Sequence, residues 1–138
     1  MSTSLRPYSR ILERLRKSGL RPTQQRLALA KLLFDGCDRH LTAEQLHSEA
    51  MRANIRVSLA TVYNTLNQFT EAGLLRAIVV DPTRSYFDTN TSDHHHYFYE
   101  KSGKLMDIPF EDIETSRLTP PCGGMIGRIE VVVRVVEV

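Results

Sequence analysis

The sequence predicts an α+β chain of two small domains, a helical half over residues 1–88 that closes on a β-hairpin and a strand-rich half over residues 89–138. Three observations predict it. Apolar residues recur at helical spacing between caps up to Ala72, strand-turn-strand patterns follow, and charge divides along the same line. Residues 1–88 hold 13 Lys/Arg against 8 Asp/Glu, a net +5, whereas residues 89–138 hold 5 against 8, a net −3. A chain of 138 residues fits one compact domain or two small ones that share an interface. No apolar run approaches the roughly 20 residues of a membrane span, and the opening Met1–Pro7 lacks the apolar stretch of a signal peptide. Cys37 and Cys122 form neither a Cys-x-x-Cys pair nor a disulfide framework. The expectation is a soluble cytoplasmic protein.

Leu5 to Leu20 reads as a short basic helix ended by Gly19, with Ile11, Leu12 and Leu15 available to pack. Thr23 caps a second helix with a buried stripe of Leu27, Ala30, Leu33 and Phe34. Thr42-Ala43-Glu44-Gln45 is a capping box opening a third, with Leu46, Ala50 and Met51 inward. The fourth runs from Ser58 to Ala72 before Gly73, with Leu59, Val62, Leu66 and Phe69 inward. Its outward face is Ala60, Thr61, Tyr63, Asn64, Thr65 and Gln68, without charge until Glu71. Solvated helix faces usually carry Lys and Glu, whereas hydroxyls and amides meet base edges in a major groove. Leu74–Val80, the turn Asp81-Pro82-Thr83-Arg84 and Ser85–Asp88 then make a hairpin. Helices followed by a hairpin describe a winged helix, with Arg84 at the wing tip placed to meet a phosphate or the minor groove. Eight basic residues against Glu13 in the first 31, Arg26 among them, suit a polyanion.

In the second half, Tyr97–Lys101 and Lys104–Ile108 flank the turn Ser102-Gly103. Phe110 to Leu118 reads as a short helix with Phe110 and Ile113 on one side, and Ile126 to Val138 as a long strand. Ile129, Val131, Val133 and Val135 share one face of that strand. About 50 residues bury little surface alone, and a valine-rich strand needs a cover. The expectation is a homodimer through this half.

Between the halves stands Ser92-Asp93-His94-His95-His96-Tyr97. On a strand, side chains alternate faces, so His94 and His96 point one way and His95 the other, beside Asp93. The run can therefore supply two ligands to one ion and leave the third for a second. The plain alternative is a solvated polar turn. Carboxylates of Asp88, Asp93 and Asp107 near three histidines would repel and lose solvation without a cation, at several kcal/mol. Mixed N and O ligands without thiolate fit Mn(II), Fe(II) or Zn(II).

Arg21-Pro22-Thr23-Gln24-Gln25-Arg26, Leu41–Leu46, Ser58–Leu66, Gly73-Leu74 and the histidine run before Ser102-Gly103-Lys104 together resemble the ferric uptake regulator family, over roughly residues 8–136. The Asp-His-His-His-Tyr run is most similar to its iron response regulator branch. The resemblance implies dimeric winged-helix regulators of double-stranded operator DNA, with metal sites between and within domains. It further implies regulation of iron and haem genes, with DNA bound when iron is scarce and released when haem arrives.

The family's inter-domain ligands fall on His40, Asp88, His94 and His96, with Asp107 as the fifth of the peroxide-sensing branch. Its second site falls on Asp93, His95 and Glu114; the usual later histidine is absent, where Arg128-Ile129-Glu130-Val131 stands, so that Glu130 would have to substitute. Tyr99 and Ser102 replace its structural zinc cysteines, which implies no structural four-cysteine zinc. DNA contacts fall on Ser58, Thr61, Tyr63 and Asn64. The Cys-Pro haem motif of the branch is absent, which leaves His94, His95 and His96 as haem ligands. Two other functions stay open. His-x-His with carboxylates also serves metal-dependent enzymes, against which no nucleophile or substrate pocket can be read. The five-ligand spacing equally suits a peroxide-sensing Fe/Mn repressor of the same family.

Overall fold

A computed structural model describes residues 6–138, which divide into one unit ending at Thr91 and a second, Ser92–Val138. Leu5 and the opening residues Met1–Ser4 lie outside the described residues. Thr89 exchanges hydrogen bonds with Arg39, so the division falls three residues beyond Asp88, where the sequence drew the boundary.

The first unit runs α1 (Arg6–Lys17), α2 (Gln24–Phe34), β1 (His40–Leu41), α3 (Ala43–Arg52), α4 (Leu59–Glu71), β2 (Arg76–Asp81) and β3 (Arg84–Asp88). The starts of α2, α3 and α4 follow from their caps. Thr23 accepts the Arg26 amide, Ser58 accepts the Thr61 amide, and Thr42 and Gln45 complete a reciprocal capping box. Gly73 follows α4 with φ 83°, the left-handed conformation that only glycine adopts cheaply. Ile11, Leu15, Leu29, Leu33, Leu46, Val62, Leu66 and Phe69 form one apolar cluster with Phe87 of the hairpin. The sheet order is β1-β3-β2, and the two-residue β1 pairs His40 with Asp88 and Leu41 with Phe87. The helices, the small sheet and the hairpin make this unit a winged helix.

Three side chains depart from the stripes read in sequence. Met51 and Leu59 lie near helix ends and are exposed, whereas Thr65 faces inward on α4 and is buried.

The second unit is a sheet of order β5-β4-β6 made by β4 (His94–Tyr99), β5 (Leu105–Pro109) and β6 (Val132–Val135). β4 is central, antiparallel to β5 and parallel to β6. Two sequence expectations are corrected here. Phe110 to Leu118 is not a helix: one 3-10 turn, Phe110–Asp112, forms, and Phe110, Ile113 and Leu118 find no deeply buried surface to drive more. The strand expected from Ile126 to Val138 pairs only over Val132–Val135, because its ladder runs along β4 from His96 to Tyr99. Phe98, Leu105 and Ile108 are the buried apolar side chains of this unit. Among the described residues no helix is long and apolar enough to cross a membrane.

Candidate metal centre and nucleic-acid face

β4 places its histidines by alternation. His96 stands directly opposite Asp107 of β5, so these two and His94 share a face, while His95 faces the other way opposite Ile108. All three histidines are buried and Asp107 is exposed. The Nε2 atoms of His94 and His96 each lie 3.5 Å from the same Asp107 oxygen. One ligand atom from each of His94, His96 and Asp107 lies within 4.8 Å of the others. Ligands of a tetrahedral ion at about 2.1 Å stand roughly 3.4 Å apart, so this spacing fits a bound ion better than it fits hydrogen bonds.

The tautomer fits as well. His94 Nδ1 lies 2.7 Å from the Ser92 carbonyl oxygen, which only accepts, so Nδ1 carries the proton. That leaves the Nε2 lone pair on the Asp107 side, the arrangement of metal-ligating histidines. His95 is the reverse. Its Nδ1 accepts the Val131 amide at 3.1 Å and its ring stacks on Phe110, so it pins the chain ahead of β6.

Within the first unit, His40 and Asp88 face each other across β1 and β3. Asp88 is buried, its carboxylate accepting the Asn90 amide at 2.9 Å. The five residues expected as ligands thus stand as a facing pair in one unit and a three-residue group in the other. Asp93, His95 and Glu114 do not form such a group among the described residues. Glu114 instead accepts from Ser116, which holds its carboxyl below the usual range, and Glu130 pairs with Arg128 at 3.0 Å. His47 Nε2 lies 3.2 Å from the Val57 carbonyl oxygen.

On the first unit a polar groove of about 400 Å3 separates the start of α2 from α4. It gathers three expected DNA contacts, Arg26, Thr61 and Asn64, with Arg21 and Gln68. Arg26 spans the two helices, donating to the Arg21 carbonyl at 2.7 Å and to Gln68 Oε1 at 3.0 Å. Arg21 and Gln68, which carry no local sequence signal for it, are the residues that hold Arg26. Ser58 and Tyr63 are exposed on α4, outside the groove lining. The Ser58 hydroxyl donates to Thr61 Oγ1 at 3.0 Å, and Tyr63 donates to Glu44 of α3, which raises the phenol pKa. At the hairpin tip Arg84 is held by Asp81, at 2.8 and 2.6 Å. That guanidinium and Thr83 keep the Asp81 carboxyl well below the usual carboxylate range.

Residues 17–119 match the family model described as the ferric uptake regulator family. The chain is 35% identical over 103 residues to the peroxide operon regulator of Bacillus subtilis, covering 75% of this chain and 70% of that protein. It is 33% identical over 100 residues to the peroxide-responsive repressor PerR of Staphylococcus epidermidis, covering 72% of this chain and 66% of that one. The chain therefore spans about two thirds of the length of these relatives. Among solved structures it superposes on the ferric uptake regulator of Pseudomonas aeruginosa with manganese, at TM-score 0.71 and 28% identity over 91% of this chain and 96% of the other. The Francisella tularensis ferric uptake regulator with iron shares the fold, at TM-score 0.74 and 23% identity over 85% and 91%.

Proposed function

The chain belongs to the ferric uptake regulator family, whose members are transcription regulators and not enzymes, and from that premise we propose a cytoplasmic homodimer that reads operator DNA of iron and haem genes under control of a divalent metal and haem. It binds when iron is scarce and is released by haem. The observation that carries the metal part is the His94–His96–Asp107 group, with the ligand-type tautomer of His94. Mn(II), Fe(II) or Zn(II) suits these nitrogen and oxygen donors, with His40 and Asp88 of the first unit as further ligands.

A bound ion supplies positive charge that offsets the desolvation of carboxylates such as Asp88. The chain's own residues do the rest. The Ser92 carbonyl fixes the His94 ring, and the β4–β5 register brings Asp107 opposite His96. Arg26 and Asn64 at the α4 groove, with Ser58, Thr61 and Tyr63, meet a major groove, and Arg84 meets the backbone. Occupancy of these ligands would be coupled to DNA affinity, with roughly 1–3 kcal/mol typical of such linkage. For the dimer, the supporting feature is a row across the second sheet. Met106, Tyr97 and Val133 are register partners on neighbouring strands, and all three are exposed. A second copy covers that row.

The haem part is supported by the resemblance of the Asp93–Tyr97 run to the iron response regulators, with His94, His95 and His96 as the candidate axial ligands. A second reading, a peroxide-sensing repressor, is favoured by the identity to two peroxide regulators and by the thiolate-free ligand group. Operator affinity measured at constant salt with Mn(II), chelator, haem and peroxide separates them. Release by haem from the parent protein, and not from His94→Ala/His96→Ala, supports the first. Release by peroxide alone, with an added oxygen on His40 or His94 by mass spectrometry, supports the second. A DNA affinity indifferent to all four contradicts both.

A further inference from the structure

We propose that Arg39 and Glu49 are positioning residues for the metal: their ion pair fixes the backbone segment that presents His40 and Asp88. The inference rests on reading those two residues as ligands. Arg39 immediately precedes His40, and Thr89 immediately follows Asp88. These two flanking residues are bonded reciprocally. The Arg39 amide donates to Thr89 Oγ1 at 2.8 Å, and the Thr89 amide donates to the Arg39 carbonyl at 2.9 Å. The Thr89 hydroxyl also lies 3.1 Å from that carbonyl. Because His40 and Asp88 are direct partners in the β1–β3 ladder, whatever holds Arg39 holds both.

The ladder alone is a weak support, since β1 is two residues long. The missing restraint comes from α3. Arg39 Nη1 lies 2.8 Å from Glu49 Oε1 and Nη2 2.5 Å from Oε2, a two-pronged contact across half-buried side chains. A fork of this kind fixes orientation as well as distance, which a lysine ammonium does not. Exposed pairs contribute little net stability. What this pair provides is position: it anchors the end of β1 to a helix that is rigidly capped by Thr42 and packed through Leu46 and Ala50.

The test uses the full chain and Mn(II) titration calorimetry, with metal-free thermal unfolding alongside. Arg39→Lys and Glu49→Gln are each expected to weaken Mn(II) binding about tenfold, the lower end for residues that orient ligands. The metal-free melting temperature moves by only a few degrees, and the reversed pair Arg39→Glu/Glu49→Arg recovers most of the affinity. Unchanged Mn(II) affinity in both single variants, with His40→Ala still weakening it, overturns the positioning role and leaves the ligand reading intact. Mn(II) affinity indifferent to His40→Ala and Asp88→Ala overturns the ligand reading itself, and the inference with it. A lowered melting temperature at unchanged affinity marks the pair as structural only, which also overturns it.

Discussion

The first unit gathers its apolar side chains into one cluster that runs from Ile11 to Phe87, whereas the second buries Phe98, Leu105 and Ile108 together with His94, His95 and His96. The first unit is held chiefly by apolar burial, at about 25 cal/mol per Å2. Burying three imidazoles gives no such return unless each finds partners. The second unit also leaves Tyr97, Met106 and Val133 facing outward in register. The difference teaches that one unit is a frame whose shape is set by its own core. The other buries few apolar side chains and presents a candidate ligand group on one face and an exposed apolar row on the other.

That contrast can be broken in several places. Leu66→Ala, in the middle of the first core, is expected to cost about 2–5 kcal/mol, equally with and without Mn(II), by urea unfolding followed through helical circular dichroism. Mn(II) at a hundredfold excess over its Kd adds about 2.7 kcal/mol through binding alone. Hydrogen exchange should place that gain on the β4 and β5 amides and on the short β1–β3 ladder that carries His40 and Asp88, and it should vanish in His94→Ala/His96→Ala. Equal protection of α1 and β4 by the metal would erase the distinction between the two units. Tyr97→Glu puts a charge in the exposed row and is expected to weaken dimerisation by about 1–2 kcal/mol, seen by light scattering. The smallest effect is Thr42→Ala, which removes one half of the α3 capping box and is expected to cost about 1 kcal/mol by the same urea unfolding.

Local signals made much of the frame legible. Ser58 and Gly73 bound α4, and Asp81-Pro82-Thr83-Arg84 sets the β2–β3 connection, because caps and turns act within a few residues. Alternation alone put His94 and His96 on one face. What stayed hidden depends on tertiary partners. The spacing of Phe110, Ile113 and Leu118 suits a helix, yet without a surface to bury against it yields one 3-10 turn. Valine content predicts a strand from Ile126, but pairing is dictated by the stretch of β4 available to it. Neither the Ser92 carbonyl that selects the His94 tautomer nor the Arg39–Glu49 fork leaves a mark on local pattern.

The central proposal is a divalent ion on the His94–His96–Asp107 group with His40 and Asp88 as further ligands, and Mn(II) titration of four single variants addresses it most directly. The account predicts that His40→Ala and Asp88→Ala, in the first unit, weaken binding at least about tenfold, as do His94→Ala and Asp107→Ala in the second, with one strong site per chain in the parent protein. Full Mn(II) affinity in both His40→Ala and Asp88→Ala, with loss confined to His94→Ala and Asp107→Ala, would contradict it.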